Sequence, residues 1–260
     1  MLKFGLVPIL AIAAAMLLVG AGRTAETAPP AGLPACAVAE RPAAHSQYDE
    51  WDRTLLDPAL TLGRAYEPPD LVDGVVRGQR VTLRSFVIDP LRALLDTAAS
   101  EGAVAVITSG YRSFSDQKHL LVASPGLDDS VARPGHSEHQ LGTAVDLSGD
   151  RDWLRQNAFR FGFVLSYPAT RSPQWTCYRE EPWHFRYFGP ARARAIEESG
   201  LSPREWLWAE AAGALDARHV NHSGRIQPVD ATSAANASDG FSQPSVCRGR
   251  PFSSRAIESS

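Results

Sequence analysis

Between Leu83 and Ser100, apolar residues recur at helical spacing: Phe86, Ile88, Leu91, Leu94, Leu95 and Ala98 fall on one face, and Gly102 supplies a stop. The pattern then changes. Ala103 to Thr108 is a short β-branched run, which reads as a buried strand. Ser113 to Val122 reads as a helix capped by Ser113 or Ser115. Thr143 to Leu147 alternates, placing Ala144 and Asp146 on one strand face. Asp152 to Phe161 predicts a helix, Phe163 to Ser166 a strand, and His184 to Phe188 another. Pro190 to Glu198 and Pro203 to Ala212 read as closing helices with proline in the first turn. Helices and strands mix without a regular βαβ rhythm. The expected fold class is therefore α+β, a small antiparallel sheet flanked by helices.

The aromatic residues mark the extent of this domain. All 6 tryptophans and all 6 tyrosines lie between Tyr48 and Trp208, and aromatic side chains bury the most area per residue. The folded domain is expected over 46–212. Residues 213–260 hold only Phe241 and Phe252 among aromatics and read as a disordered tail. Residues 22–45, rich in Ala, Pro and Thr, read as a linker. At the front, Lys3 precedes an apolar run from Phe4 to Val19, followed by the small residues Gly20 and Ala21. That run is shorter than the ~20 residues of a spanning helix. It predicts a cleaved signal peptide over 1–21, no membrane span after cleavage, and a secreted or cell-envelope location.

Export would expose Cys36, Cys177 and Cys247 to an oxidising compartment. Three cysteines leave one unpaired or joined to a partner chain, and the sequence by itself leaves all three pairings open. The net charge of −3 gives no reason to expect nucleic acid or an anionic surface as partner.

Two segments carry the chemistry. The first is Ser137-Glu138-His139-Gln140-Leu141-Gly142-Thr143-Ala144-Val145-Asp146, and the second is Glu181-Pro182-Trp183-His184. His139, Asp146 and His184 form a two-imidazole, one-carboxylate set, which leaves zinc's fourth tetrahedral position open, as catalytic sites do. Gly142 provides a turn that lets the chain fold back from His139 to Asp146. Glu181, three residues before His184, is placed to take a proton from water. Pro182-Trp183 would stiffen the approach and wall the site with indole. Taken singly, H-x6-D and E-x-x-H are coincidences, and His45, His119, His219 and His222 read as ordinary histidines. His136 and Glu180, adjacent to the motifs, read as bystanders, and Asp150 and Asp152 as helix-cap carboxylates. Ser115-Asp116-Gln117-Lys118 matches the S-x-x-K of serine-type penicillin-binding enzymes, but the accompanying S-D-N and K-T-G elements are missing.

Together with Ser109-Gly110-Tyr111-Arg112-Ser113 and Gln117, these motifs resemble the VanY-type zinc D-alanyl-D-alanine carboxypeptidases of the LAS group, which shares its fold with the Hedgehog signalling domain. The resemblance spans roughly Tyr48 to Trp208 and includes the lead-in Tyr66-Glu67-Pro68-Pro69-Asp70-Leu71-Val72. It implies Zn2+ on His139, Asp146 and His184, Glu181 as general base and then acid, and Arg112 on the substrate carboxylate or developing oxyanion. It implies peptide contacts from Ser113 and Gln117, a supporting role for Ser137, and a Cys36–Cys177 bridge. The implied substrates are peptidoglycan stem peptides. Arg112 also makes sense on chemistry, since a guanidinium grips a free carboxylate bidentately. The same motifs leave room for an L,D-carboxypeptidase, a cross-bridge endopeptidase, or a non-catalytic wall-binding module, against which an intact Glu181 argues.

Overall fold

The structure, a computed structural model, describes residues 28–126 and 130–215. The expected signal peptide, the tail beyond residue 215, Cys247, His219 and His222 lie outside the described residues. The elements run β1 Arg41–Pro42, β2 Leu60–Thr61, β3 Leu71–Val76, β4 Gln79–Arg84, α1 Ser85–Ser100, β5 Ala105–Ser109, α2 Phe114–Ala123, β6 Ala144–Gly149, α3 Arg151–Asn157, β7 Phe163–Leu165, α4 Pro173–Thr176, β8 His184–Tyr187, α5 Pro190–Ser199 and α6 Pro203–Ala211. Among the described residues no helix is long and apolar enough to cross a membrane.

The main sheet has four antiparallel strands in the order β5-β6-β8-β7. Val145, Leu147, Phe163 and Phe185 turn one face of it inward, where they meet the α1 stripe of Val87, Ile88, Leu91, Leu94 and Leu95. Each such side chain contributes about 1.5–3 kcal/mol by leaving water. Because β6 alternates, Ala144 and Asp146 project from the opposite face, as the sequence pattern requires. Asp146 pairs directly across from His184, and Ala144 from Arg186. The sheet thus carries its chemistry on one face and its packing on the other.

The β3–β4 hairpin is an element that hydrophobic spacing did not suggest. Its turn is Arg77-Gly78, both at positive φ (48° and 77°), which matches the twist of paired strands. The hairpin packs on α1: a Cβ at Gly74 would come 2.7 Å from Ile88 Cδ1. The helices cap as expected in kind: Ser113 forms a capping box with Asp116, and Ser202 one with Glu205. Asp150 stands at the start of α3 without a capping bond and instead accepts from the Val104 N–H, closing the β5–β6 end.

Residues 28–45, despite their linker-like composition, lie along the domain. Ala39, Arg41 and Ala43 N–H groups donate to the Pro58, Ala59 and Thr61 carbonyls at 3.0, 3.0 and 2.9 Å. Arg204, paired with the buried Asp57, donates to Pro34 O at 3.0 Å. Cys36 is disulfide-bonded to Cys177, the pairing that the family resemblance implied.

Candidate metal centre

The short 3-10 turn Glu138–Leu141 presents the first ligand. Ser137 caps it, its hydroxyl accepting from the His139 N–H at 3.4 Å. The turn closes at Gly142 with φ 71°, where a Cβ would lie 2.8 Å from Leu71 Cδ2 and 2.9 Å from Arg84 Cγ. Only glycine meets both constraints. The Ser109-Gly110-Tyr111-Arg112 segment is fastened to this turn: the Arg112 N–H donates to His139 O at 3.3 Å, and the Tyr111 N–H to Thr82 O at 2.8 Å.

The hydrogen-bond partners of the two imidazoles show what the site can hold. A neutral imidazole carries one proton. His139 Nδ1 lies 2.6 Å from the Gly110 carbonyl, which can only accept, so the proton sits there. His184 Nε2 lies 3.0 Å from Glu138 Oε2, another acceptor. The inward nitrogens, His139 Nε2 and His184 Nδ1, then present lone pairs 3.2 and 3.1 Å from one oxygen, Asp146 Oδ1. Lone pairs that converge in this way suit a cation, which is either a proton on His184 Nδ1 or a metal ion shared by all three groups. Zinc bonds of ~2.0–2.1 Å at tetrahedral angles would set ligand atoms about 3.3 Å apart. The three ligating atoms all lie within 4.8 Å of one another. The donor set therefore fits Zn2+, with an open fourth position. Burial alone would lower His184, but the hydrogen bonds it donates to Asp146 and Glu138 raise it to about 10. A proton and a divalent cation contend for the same Nδ1 lone pair. Burial lowers His139, which keeps its Nε2 free.

Glu181 stands beside this set. Its Oε2 is 3.8 Å from His184 Nδ1. The Glu181 N–H donates to Tyr167 O at 3.1 Å and its carbonyl accepts from the His184 N–H at 3.0 Å, so the Pro182-Trp183 turn fixes acid and ligand together. Burial pushes the Glu181 carboxyl up to about 7, with Asp146 and Glu138 adding to the rise and His184 and Arg112 opposing it. Glu180 points to solvent and lines a different depression.

A cleft of about 370 Å³ opens on these groups, lined by Arg112, Gln117, Ser137, Tyr167, Tyr178 and Trp183 as well as by the ligands. A somewhat larger groove of about 460 Å³ lies between the hairpin and β5, away from the metal ligands. Arg112 is largely buried, and its Nε has no hydrogen-bond partner, so the guanidinium keeps a donor in reserve. Gln117 is 2% exposed; its Nε2 donates to Ala132 O at 2.7 Å and its Oε1 is left without a partner. Ser113 is placed differently: its hydroxyl caps α2, and it does not line the cleft. His136 bonds Asp57 O at 2.8 Å and Glu40, outside the ligand set.

Sequence reasoning missed the residues behind His184. Glu138, Ser166 and Arg186 form a buried cluster there. Burial alone would raise Glu138, but Arg186 and His184 hold it at about 2. Glu138 sits inside the first motif, yet nothing local shows that its partners lie 28 and 48 residues away.

The ligand turn and both strands fall within residues 80–190, which match the family described as VanY, D-alanyl-D-alanine carboxypeptidase. A D-alanyl-D-alanine carboxypeptidase of Enterococcus faecalis is 32% identical over 186 residues, 62% of this chain and 67% of that one. The chain belongs to the VanY family. YodJ of Bacillus subtilis is likewise 32% identical over 180 residues, covering 59% of this chain and 66% of YodJ, so the chain spans about two thirds of the length of these relatives. Among solved structures, a variant of the vancomycin-resistance D,D-pentapeptidase VanY in complex with Zn(II) is 29% identical. It aligns at TM-score 0.54 over 60% of this chain and 99% of that chain. The LdcB LD-carboxypeptidase is 31% identical, with TM-score 0.54, covering 59% of this chain and 84% of that one. The α+β architecture is that of the VanY fold; Zn2+ is the cofactor, and His139, Asp146 and His184 are a group that could hold it.

Proposed function

We propose that this chain is a zinc-dependent, extracytoplasmic D-alanyl-D-alanine carboxypeptidase that removes the terminal D-alanine from peptidoglycan stem peptides. The observation that carries this reading is the convergence of three possible ligands beside a buried carboxyl and a half-buried guanidinium in one cleft. Bound zinc supplies a Lewis acid that polarises the scissile carbonyl and acidifies water at neutral pH. Glu181 accepts the proton of the attacking water at its carboxylate and returns it to the leaving amine. Arg112, with its uncommitted Nε–H and its place on the cleft wall, grips the terminal carboxylate and steadies charge on the carbonyl oxygen. Gln117 offers its unpartnered Oε1 to a peptide N–H. Tyr167, Tyr178 and Trp183 keep the cleft dry, which strengthens each of these interactions. Ser137 holds the His139 turn, and the cap bonds of Ser113 leave it the weaker candidate for a substrate contact.

The identity to an LD-carboxypeptidase of the same fold favours one second reading, cleavage of tetrapeptide stems ending in an L,D bond. Mass analysis of defined stems separates the two. The D,D reading expects loss of one D-alanine from a pentapeptide, stopped by a chelator and restored by zinc. Cleavage of the tetrapeptide alone would establish the L,D reading. No chelator-sensitive cleavage of either stem or of a cross-bridged muropeptide would leave a wall-binding module.

A further inference from the structure

Glu138 is a buried carboxylate that the chemistry above leaves unused. It is 6% exposed, and both of its oxygens are taken. Oε2 accepts from His184 Nε2 at 3.0 Å and from Ser166 Oγ at 2.6 Å, while Oε1 accepts from Arg186 Nη1 at 2.8 Å. These bonds leave Glu138 no role as a second base, since each oxygen already holds a donor.

Arg186 is more deeply buried still, at 0% exposure. Its Nη2 donates to Trp51 O at 2.6 Å and Thr54 O at 2.9 Å, and its guanidinium carbon sits 4.5 Å above the centre of the Phe188 ring. The Ser166 N–H donates to His184 O at 3.1 Å, so the same residue braces the ligand's backbone and, through Glu138, its ring. The arrangement is asymmetric between the two histidines: His139 is oriented by a backbone carbonyl, which no side-chain replacement can alter, and His184 by a side chain.

We infer that Glu138, gripped by Arg186 and Ser166, is a positioning residue that sets the zinc affinity of the site by holding the His184 ring with Nδ1 facing Asp146. This inference rests on the zinc reading above. The physical reason is that an imidazole donating its outer N–H to a carboxylate is locked in rotation and becomes a stronger ligand through the other nitrogen. The competing account makes Glu138–Arg186 a buried ion pair that serves the fold alone. That account predicts a loss of metal-free stability with no particular loss of zinc.

The test is zinc affinity of the full chain, measured by competition with a chromophoric chelator and without substrate. Glu138→Gln keeps the shape but removes the charge, and whichever way its amide turns, either the His184 or the Arg186 bond becomes donor against donor. Zinc binding is expected to weaken about 10–100-fold. The metal-free melting temperature should fall as well, because Arg186 loses its buried partner, so zinc affinity is the deciding readout. At saturating zinc, KM should hold while kcat falls. Glu138→Asp, which restores the charge, should recover part of the affinity. Ser166→Ala removes one bond without touching the charge pair and should weaken zinc severalfold. An unchanged zinc affinity in either folded variant overturns the inference. If Glu138→Gln fails to fold, Ser166→Ala decides alone. A wild-type chain that binds no zinc would instead sink the carboxypeptidase reading, so the two failures are told apart.

Discussion

Replacing Cys36 and Cys177 together by serine probes the strap that runs beside the cleft. The bridge spans 141 residues of sequence. The loop-closure relation, with that span as its length, gives about 17 cal/mol/K, or about 5 kcal/mol at 25 °C. That value is a ceiling, because real unfolded chains are compact and measured bridges contribute about 2–4 kcal/mol. For a domain of this size, 1 kcal/mol moves the melting midpoint by about 2–4 °C, so a drop of about 5–15 °C is expected. Calorimetry on oxidised wild type and the double variant, both with excess zinc, measures it directly. The local consequence is as informative. Cys177 ends α4 in a left-handed conformation, φ 69°, and the chain then passes through Tyr178 to Glu181. Freeing this corner should lower kcat/KM on a stem pentapeptide and leave zinc affinity intact, because β6, β8 and the 3-10 turn hold the ligands. Equal melting midpoints would refute the reasoning. So would a variant that lost zinc and kept its catalytic rate.

Glu181→Gln should lower kcat by about 10²–10⁴ while retaining zinc. The same variant tests the burial of that carboxyl, which pushes its pKa up to about 7 from an ordinary 4.5. A raised folded value favours the protonated form, so its stabilising contribution is complete below 4.5 and disappears as pH rises through 7. Metal-free Glu181→Gln should therefore exceed metal-free wild type in urea stability at pH 8 by at most about 3 kcal/mol, and by little at pH 5; equal differences at both would refute it. Arg112→Lys keeps the charge and loses the planar fork, so kcat/KM on the pentapeptide should fall by at least about tenfold; an unchanged value would remove Arg112 from carboxylate recognition. Penicillin should leave the intact mass unchanged, since no serine nucleophile is used, and rapid acylation would contradict the scheme.

Local signals carried much of this structure. The α1 stripe, the β6 alternation and the proline-led helices α5 and α6 are written in spacings of a few residues, and they fold as written. The three ligands were legible because turn chemistry at Gly142 and the pairing of Asp146 with His184 need only short motifs. What escaped was long-range. In the β3–β4 hairpin the outer strand is mostly exposed and its inward side rests on Ile88 through a glycine, so it lacks the apolar alternation that marks a strand. The segment 28–45 reads as solvated because its attachment is made by backbone groups and one cysteine, which composition does not register. Arg186 sits in an aromatic run and looks like an exposed strand residue; its burial depends on Glu138 and on carbonyls more than 130 residues earlier.

The facing of Asp146 and His184 across neighbouring strands has a kinetic corollary. Side chains in a strand switch faces when pairing shifts by one position. A slipped β6–β8 pair would therefore aim one ligand at the oily side of the sheet, and the ion would be lost. Capture of a coloured surrogate such as cobalt during refolding thus reports strand registration, which collapse without the right pairing would not produce.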